Sequence, residues 1–246
     1  MSAPVFLTGD PALRTGRRVV LDGAEGRHAV TVRRIAVGEE VVLTDGKGLS
    51  VRGTVAVVEG KDTLYVDVAE RAEEPPPAPR IVVVQALPKG DRGELAVETM
   101  TEVGVDVIVP WAASRCITQW KGERGAKSLA KWRATAREAG KQARRVHLPD
   151  VTEPMTTRQV AGLLGGAAFA GILHEEAAEP LATAELPGDG DLVLVVGPEG
   201  GVSPEEITAF TTAGAAPYRL GPTVLRTSTA GVSAASVLLA RCGRWS

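Results

Sequence analysis

Apolar and polar positions along the 246 residues follow two different rhythms. Up to residue 74, short alternating runs recur: Arg18 to Asp22, Glu40 to Asp45, Leu49 to Val58 and Leu64 to Val68, with turn signals at Gly38, Asp45-Gly46 and Glu59-Gly60. Period-two alternation at this spacing predicts a small all-β barrel. A helical piece near Glu25 to Ile35 interrupts it and carries His28, Arg33 and Arg34, which read either as a solvated helix end or as a phosphate-contacting edge. Glu73-Glu74-Pro75-Pro76-Pro77-Ala78-Pro79 then reads as an extended, semi-rigid linker.

Beyond the linker, strands and helices alternate. Arg80 to Ala86 predicts a strand, Gly93 to Val103 a helix and Val105 to Pro110 a strand. A long helix covers about Lys127 to Arg145, and Ala168 to His174 and Leu192 to Val196 read as further strands. This alternation implies a mostly parallel sheet covered on both faces. The expected organisation is residues 1–74 as a barrel, 75–79 as linker and 80–246 as an α/β domain.

On a helical wheel Trp132, Ala136, Ala139 and Ala143 share one face of the long helix. Lys127, Lys131, Arg133, Arg137, Lys141, Arg144 and Arg145 lie away from it, with almost no interleaved acid. Net charge is only −2, but unevenly spread: ten Lys/Arg against two acids from Arg115 to Arg145 give +8, and eleven Asp/Glu against one Arg from Asp150 to Gly214 give −10. Such asymmetry points to a polyanion on one face, with the basic helix as a phosphate-backbone contact. Two cysteines and three scattered histidines make a metal site improbable, and Cys116 and Cys242 read as packed thiols of a reduced cytoplasmic protein. No stretch has the apolar length of a membrane span, and the start lacks a signal-peptide pattern.

The candidate chemistry lies in two glycine loops. Leu194-Val195-Val196 leads into Gly197-Pro198-Glu199-Gly200-Gly201, followed by Ser203 as N-cap, Pro204 at the first helical position and Glu206 closing an S-x-x-E capping box. Tyr218-Arg219-Leu220, Gly221-Pro222 and the loop Val224 to Gly231 repeat the theme before the last helix. Glycine lets a flat purine or ribose touch the main chain, and open α/β sheets bind ligands at this edge. Neither loop is a phosphate-binding fingerprint, because G-x-x-x-x-G-K-[ST] is absent and Pro198 stands inside the first. They suit a nucleoside-bearing cofactor without a phosphate chain.

The order of motifs resembles the SPOUT superfamily, specifically the RsmE-type enzymes that methylate N3 of a uridine in bacterial 16S ribosomal RNA. The resemblance covers nearly the whole chain. It rests on Arg34, Gly38 and Asp45-Gly46; on Leu87-Pro88-Lys89-Gly90-Asp91; on Thr101-Glu102-Val103-Gly104-Val105; and on Ser114-Arg115-Cys116. Gln142, Arg145 and Pro149 fit the next stretch, and Gly197 to Gly201 and Leu220-Gly221-Pro222 with Leu225-Arg226-Thr227 fit the last two motifs. Two departures stand out: Ser228 where the family commonly has glutamate, and Lys141 where glutamate is frequent.

The resemblance implies a PUA-like RNA-binding barrel followed by an α/β domain with a C-terminal trefoil knot, a homodimer acting on the assembled small ribosomal subunit. It implies that S-adenosylmethionine is held by Leu173 and His174, by Val196, Gly197, Pro198, Glu199, Gly200 and Gly201, and by Leu220, Gly221, Val224, Leu225, Arg226 and Thr227. Uridine N3 is a poor nucleophile until its proton leaves, so catalysis needs positioning and stabilisation of the anion. Arg226 is the expected stabiliser, with Thr227 assisting, and no dedicated base is expected at Ser228. The expected RNA contacts are His28, Arg33, Arg34, Lys89, Arg92, Arg115, Arg137, Lys141, Gln142, Arg144 and Arg145. Two rivals remain: a non-catalytic RNA-binding or ribosome-assembly protein of the same fold, and a nucleotide-dependent enzyme on a Rossmann-type sheet.

Overall fold

Branched side chains at alternate positions give the first part of the chain its strands, because they pack well on a pleated surface. The computed structural model describes residues 3–246 and divides into two units, Met1–Pro76 with Gly140–Leu148, and Pro77–Ala139 with Pro149–Ser246. The first unit contains β1 (Val5–Leu7), α1 (Ala12–Thr15), β2 (Arg18–Leu21), α2 (Gly23–Arg27) running into a π-helical turn (His28–Val32), β3 (Glu40–Thr44), β4 (Leu49–Glu59) and β5 (Thr63–Glu73). They form one five-stranded sheet in the order β1-β3-β4-β5-β2. The β1–β3 pair is parallel and the others antiparallel.

Val19, Leu21, Val41, Leu43, Val51, Leu64 and Val66 alternate inward to form its core, each at most 1% exposed. Register shifts between Arg52 and Gly53 and between Val55 and Val57 bend the long β4–β5 ribbon over that core. Gly53 permits the bend, since a Cβ there would lie 2.3 Å from the Asp67 carbonyl oxygen. The strand expected to stop at Val68 continues to Glu73 because its ladder with β4 continues. β1, three residues without alternation, left no periodic signal in the sequence.

The segment 140–148 counts with this unit rather than with the α/β part of the chain. Lys141 Nζ lies 2.9 Å from Glu25 Oε1, with both side chains nearly buried. His147 bridges to Lys47, and the Leu148 N–H donates to the Gly46 carbonyl at 2.9 Å.

The second unit is built from β6 (Arg80–Ala86), α3 (Arg92–Val103), β7 (Val107–Trp111), α4 (Gly122–Gln142), β8 (Asp150–Val151), α5 (Thr157–Gly165) and β9 (Phe169–Leu173). A 3-10 turn (Leu181–Thr183), β10 (Asp191–Val196), α6 (Pro204–Thr212), β11 (Ala216–Tyr218) and α7 (Thr227–Arg241) complete it. Six strands run in the order β11-β9-β10-β6-β7-β8, and every neighbouring pair is parallel. Central strands buried on both faces must be continuously apolar, and Leu192 to Val196 are at most 1% exposed. α3 and α7 pack together, with α7 over β6 and β10.

Helix ends follow their caps. α6 starts at the Ser203–Glu206 capping box with Pro204 at its first position, as the sequence predicts. α5 has a box of the same kind, Thr156 with Gln159, which the sequence reading passed over. α4 begins before Lys127 and ends at Gln142 rather than Arg145, because Arg144 adopts a left-handed φ of 58° that no helix continues. The strand expected at Tyr218–Leu220 lies at Ala216–Tyr218, where Tyr218 pairs with Leu173.

Candidate active site

All the strands of the second sheet point their carboxyl ends to one edge. From β6 the chain steps outward to β7 and β8, then crosses to build β9 and β10 on the other side. The reversal falls between β6 and β10, and a crevice opens at such a point for ligands. Three loops leave that side of the edge, after β9, β10 and β11. The His174 N–H donates to the Tyr218 carbonyl at 3.0 Å, and the Arg219 N–H donates to the Glu179 carbonyl at 2.8 Å, so the loops after β9 and β11 are tied together. His174 Nδ1 accepts from the Glu176 N–H at 3.2 Å, which makes this ring part of a turn.

The loop after β10, Gly197 to Val202, is held by a buried carboxylate. Glu206 is 4% exposed. Its Oε1 accepts from the Ser114 N–H at 2.8 Å and the Thr157 hydroxyl at 3.1 Å, and its Oε2 accepts from the Ser203 N–H at 3.1 Å. Three donors around one carboxylate fix the β7–α4 loop, the start of α5 and the start of α6 to one another. The neighbour of Ser114, Arg115, donates through Nη1 to the Gly200 carbonyl at 3.0 Å. Glu199 Oε1 accepts from the Lys89 N–H at 3.1 Å, which ties the loops after β6 and β10 together.

The third loop ends at Arg226, the N-cap of α7, whose carbonyl accepts from the Thr229 and Ala230 N–H groups at 2.9 Å each. The Arg226 side chain is exposed. No ion pair involves it among the described residues, so its charge is open to a ligand. Thr227 and Ser228 are buried in the first turn of α7. Gln85, fully buried in β6, donates through Nε2 to the Ala86 and Thr227 carbonyls. The central strand thereby holds the start of α7. Val224 is 74% and Leu225 39% exposed, leaving an apolar lip beside Arg226.

Residues 74–239 match the family described as RNA methyltransferase domain, and residues 21–69 the RNA methyltransferase PUA domain. Ribosomal RNA small subunit methyltransferase E of Mycobacterium bovis is 46% identical over 235 residues, 94% of this chain and 89% of that one. The chain belongs to the ribosomal RNA small subunit methyltransferase E family. The Bacillus subtilis relative of the same name is 26% identical over 89% of this chain and 88% of its own. Among solved structures, methyltransferase E of Neisseria gonorrhoeae bound to S-adenosyl methionine superposes with a TM-score of 0.85 at 27% identity, over 98% of each chain. A methyltransferase of Legionella pneumophila in complex with the same cofactor gives 0.84 at 29% identity, over 98% of each chain. The first unit is thus PUA-like and the second an α/β methyltransferase domain.

Within this family frame, Leu173, His174, Val196 to Gly201, Leu220, Gly221 and Val224 to Thr227 lie at the ends of, or in the loops after, three adjacent strands. The reason for two of the glycines differs from the sequence argument. A Cβ at Gly200 would meet Arg115 Cβ at 3.3 Å, and Gly201 has a φ of 73°, so both serve the fold of the loop. At Gly221 a Cβ would meet nothing within 4 Å, so its bare backbone faces open space.

Several expected RNA contacts are otherwise engaged. Lys141, expected on an outer face, is instead buried in the pair with Glu25, because the end of α4 belongs to the first unit. Arg115 is committed to Gly200. Acids from other elements also reach the basic helix: Lys131 pairs with Glu94 and Arg133 with Glu153. His28 packs edge-on against Phe6. Arg33, Arg34, Lys89, Arg137, Gln142 and Arg144 are exposed, and Arg92 and Arg145 are half-buried. The Cys116 thiol is pushed up by burial and packs as expected. Among the described residues no cluster of three metal-binding side chains occurs, and no helix is long and apolar enough to cross a membrane.

Gln85 and Glu206 are the positioning groups that sequence reasoning missed. A lone amide inside the apolar run Ile81 to Ala86 was the available signal for the first. Glu206 was visible only as a helix cap.

Proposed function

We propose that this protein transfers a methyl group from S-adenosylmethionine to N3 of a uridine in 16S ribosomal RNA of the assembled small subunit, working in the cytoplasm as a homodimer. The observation that carries this reading is the trio of loops after β9, β10 and β11, with open backbone at Gly221 and an unpaired arginine beside it. The donor set fits the cofactor: main-chain groups, an apolar lip at Val224 and Leu225, and no lysine to grip a polyphosphate. Insertion of β10 between β9 and β6 before β11 joins the outer edge supports threading of the last residues as a trefoil knot.

When bound, S-adenosylmethionine supplies a methyl group on a cationic sulfur. The protein's task is then to hold the uridine anion in line with it. Arg226 faces that anion and stabilises it, as an oxyanion donor does. The Glu206 carboxylate and Gln85 amide keep the loops that define the line of approach fixed. Ser228, buried in α7, is not used as a base, and the N3 proton leaves to solvent.

The test is nucleoside mass analysis of 16S ribosomal RNA from a deletion strain, with calorimetry of S-adenosylmethionine binding. Loss of one N3-methyluridine and its restoration by the gene are expected. Unchanged 16S ribosomal RNA in the deletion strain defeats the reading.

A further inference from the structure

The same sheet edge carries a cleft that the cofactor loops leave unused. It has a volume of about 560 Å³ and lies between the turn Pro88 to Gly90, the loop Ile117 to Trp120 and the first turns of α3 and α4. That is the size of a small-ligand site. The cleft belongs to β6 and β7, whereas the cofactor loops belong to β9, β10 and β11. Lys89 joins the two, since its N–H binds Glu199 of the glycine loop.

Three properties define what the cleft can take. Cations outnumber acids in its lining: Lys89 and Arg124 carry no ion pair among the described residues, while Glu94 pairs through Oε1 with Lys131 at 2.9 Å and its Oε2 is buried without a hydrogen-bond partner among them. Its wall is aromatic: half-buried Trp120 packs against buried Trp132, centroids 4.9 Å apart and planes at 79°. Its rim offers the exposed amide of Gln119, which can donate and accept at once. The Thr118 hydroxyl is not available as a donor, because it donates to the Pro88 carbonyl at 2.9 Å.

An indole ring, two cations without ion pairs and an amide suit a nucleotide with its base unstacked. Enzymes that modify a base take it out of its stack into such a pocket, and aromatic stacking with a basic track is the usual means of holding it. Methyl transfer also needs donor and acceptor side by side, and here the two halves of one sheet edge abut.

We propose that this cleft receives an RNA nucleotide turned out of its stack, with its base on Trp120, Gln119 facing the base edge, and phosphates on Lys89 and Arg124. That the nucleotide is the target uridine rests on the methyltransferase reading; the affinity for a nucleotide does not.

The experiment uses the full chain and two readouts. Uridine 5′-monophosphate binding is followed by saturation-transfer NMR, and single-turnover methyl transfer to unmethylated small subunits is measured alongside S-adenosylmethionine affinity. Trp120→Ala and Arg124→Glu should weaken the nucleotide and lower kcat/KM roughly ten- to a hundredfold, with S-adenosylmethionine affinity unchanged. Trp120→Phe should keep most of both, and exposed Arg124 covers the case in which Trp120→Ala fails to fold. Nucleotide binding equal to wild type in both variants, or no binding to wild type, overturns the proposal. So does a parallel loss of S-adenosylmethionine affinity, which would place the cleft in the cofactor site. If wild type binds the monophosphate through Trp120 yet transfers no methyl, the methyltransferase reading falls and the nucleotide cleft stands.

Discussion

Lys141 separates a structural cation from an RNA-binding one, and the two roles predict opposite results. Its side chain is 7% exposed and its Nζ lies 2.9 Å from Glu25 Oε1, itself 12% exposed. Lys141→Met would leave a carboxylate inside the first unit without this cation. Breaking a buried pair from one side costs about 3–5 kcal/mol. The low end applies, about 3 kcal/mol, because Glu25 keeps some solvent and the Leu7 N–H as a donor at 3.4 Å. For a unit of 60–100 residues each kcal/mol is worth roughly 4–8 °C, so scanning calorimetry should show a loss of roughly 12 °C or more. Adding Glu25→Gln should restore at least half of it, since removing both charges of a buried pair is cheaper than removing one. The double variant should bind small subunits with the wild-type salt slope, whereas exposed Arg144→Glu should flatten that slope by about one unit. A Lys141→Met protein that melts with wild type but loses about one unit of slope would refute the argument.

Three further outcomes follow from the second unit. Gly221→Val should abolish S-adenosylmethionine binding in calorimetry while leaving the melting temperature nearly unchanged, because the added side chain enters open space; Gly201→Val should lose both, because its φ is 73°. Arg226→Ala should lower single-turnover methyl transfer about 10²–10³-fold at wild-type cofactor affinity, Ser228→Ala should cost little, and the wild-type rate should rise with pH towards the uridine pKa as the reactive anion becomes more abundant; a rate that stays flat while chemistry limits it would contradict this. Glu206→Gln turns one acceptor into a donor facing an N–H, which should cost about 1–3 kcal/mol in melting and weaken cofactor affinity, and Glu206→Asp should not rescue it because it is too short to reach Ser114.

What was legible in the sequence was local. The capping box at Ser203, the strand Arg80–Ala86 and the apolar run of β10 each rest on interactions within a few residues or on burial on both faces. The charge pattern read along α4 was incomplete for a non-local reason. Counting acids along α4 showed almost none, yet Glu94 and Glu153 reach Lys131 and Arg133 from α3 and from the segment after β8. Likewise, no periodicity marks the end of α4 as a piece of the first unit, because Glu25 stands 116 positions away. The glycines of the β10 loop stand out in the sequence, but the neighbour that crowds a Cβ at Gly200 is Arg115, 85 positions away.

The sheet edge shows why the site needs so few charged groups of its own. Strand order places the reversal between β6 and β10, so loops from both sides meet there with their main chains already in place. The protein then needs only to hold them. Alongside the exposed contacts of Arg115 and Glu199, buried polar groups take part in this: Glu206 beneath the glycine loop and Gln85 beneath the start of α7. Such groups act strongly because they are out of water. Gln85 is not fully satisfied, since its Oε1 is buried without a hydrogen-bond partner among the described residues. It faces Gly231, where a Cβ would lie 3.4 Å from that oxygen and 2.8 Å from Met100 Sδ. A glycine within α7 therefore lets the helix approach β6 and α3 closely enough for Gln85 to reach Thr227, and the position of Arg226, one residue earlier, follows from that approach.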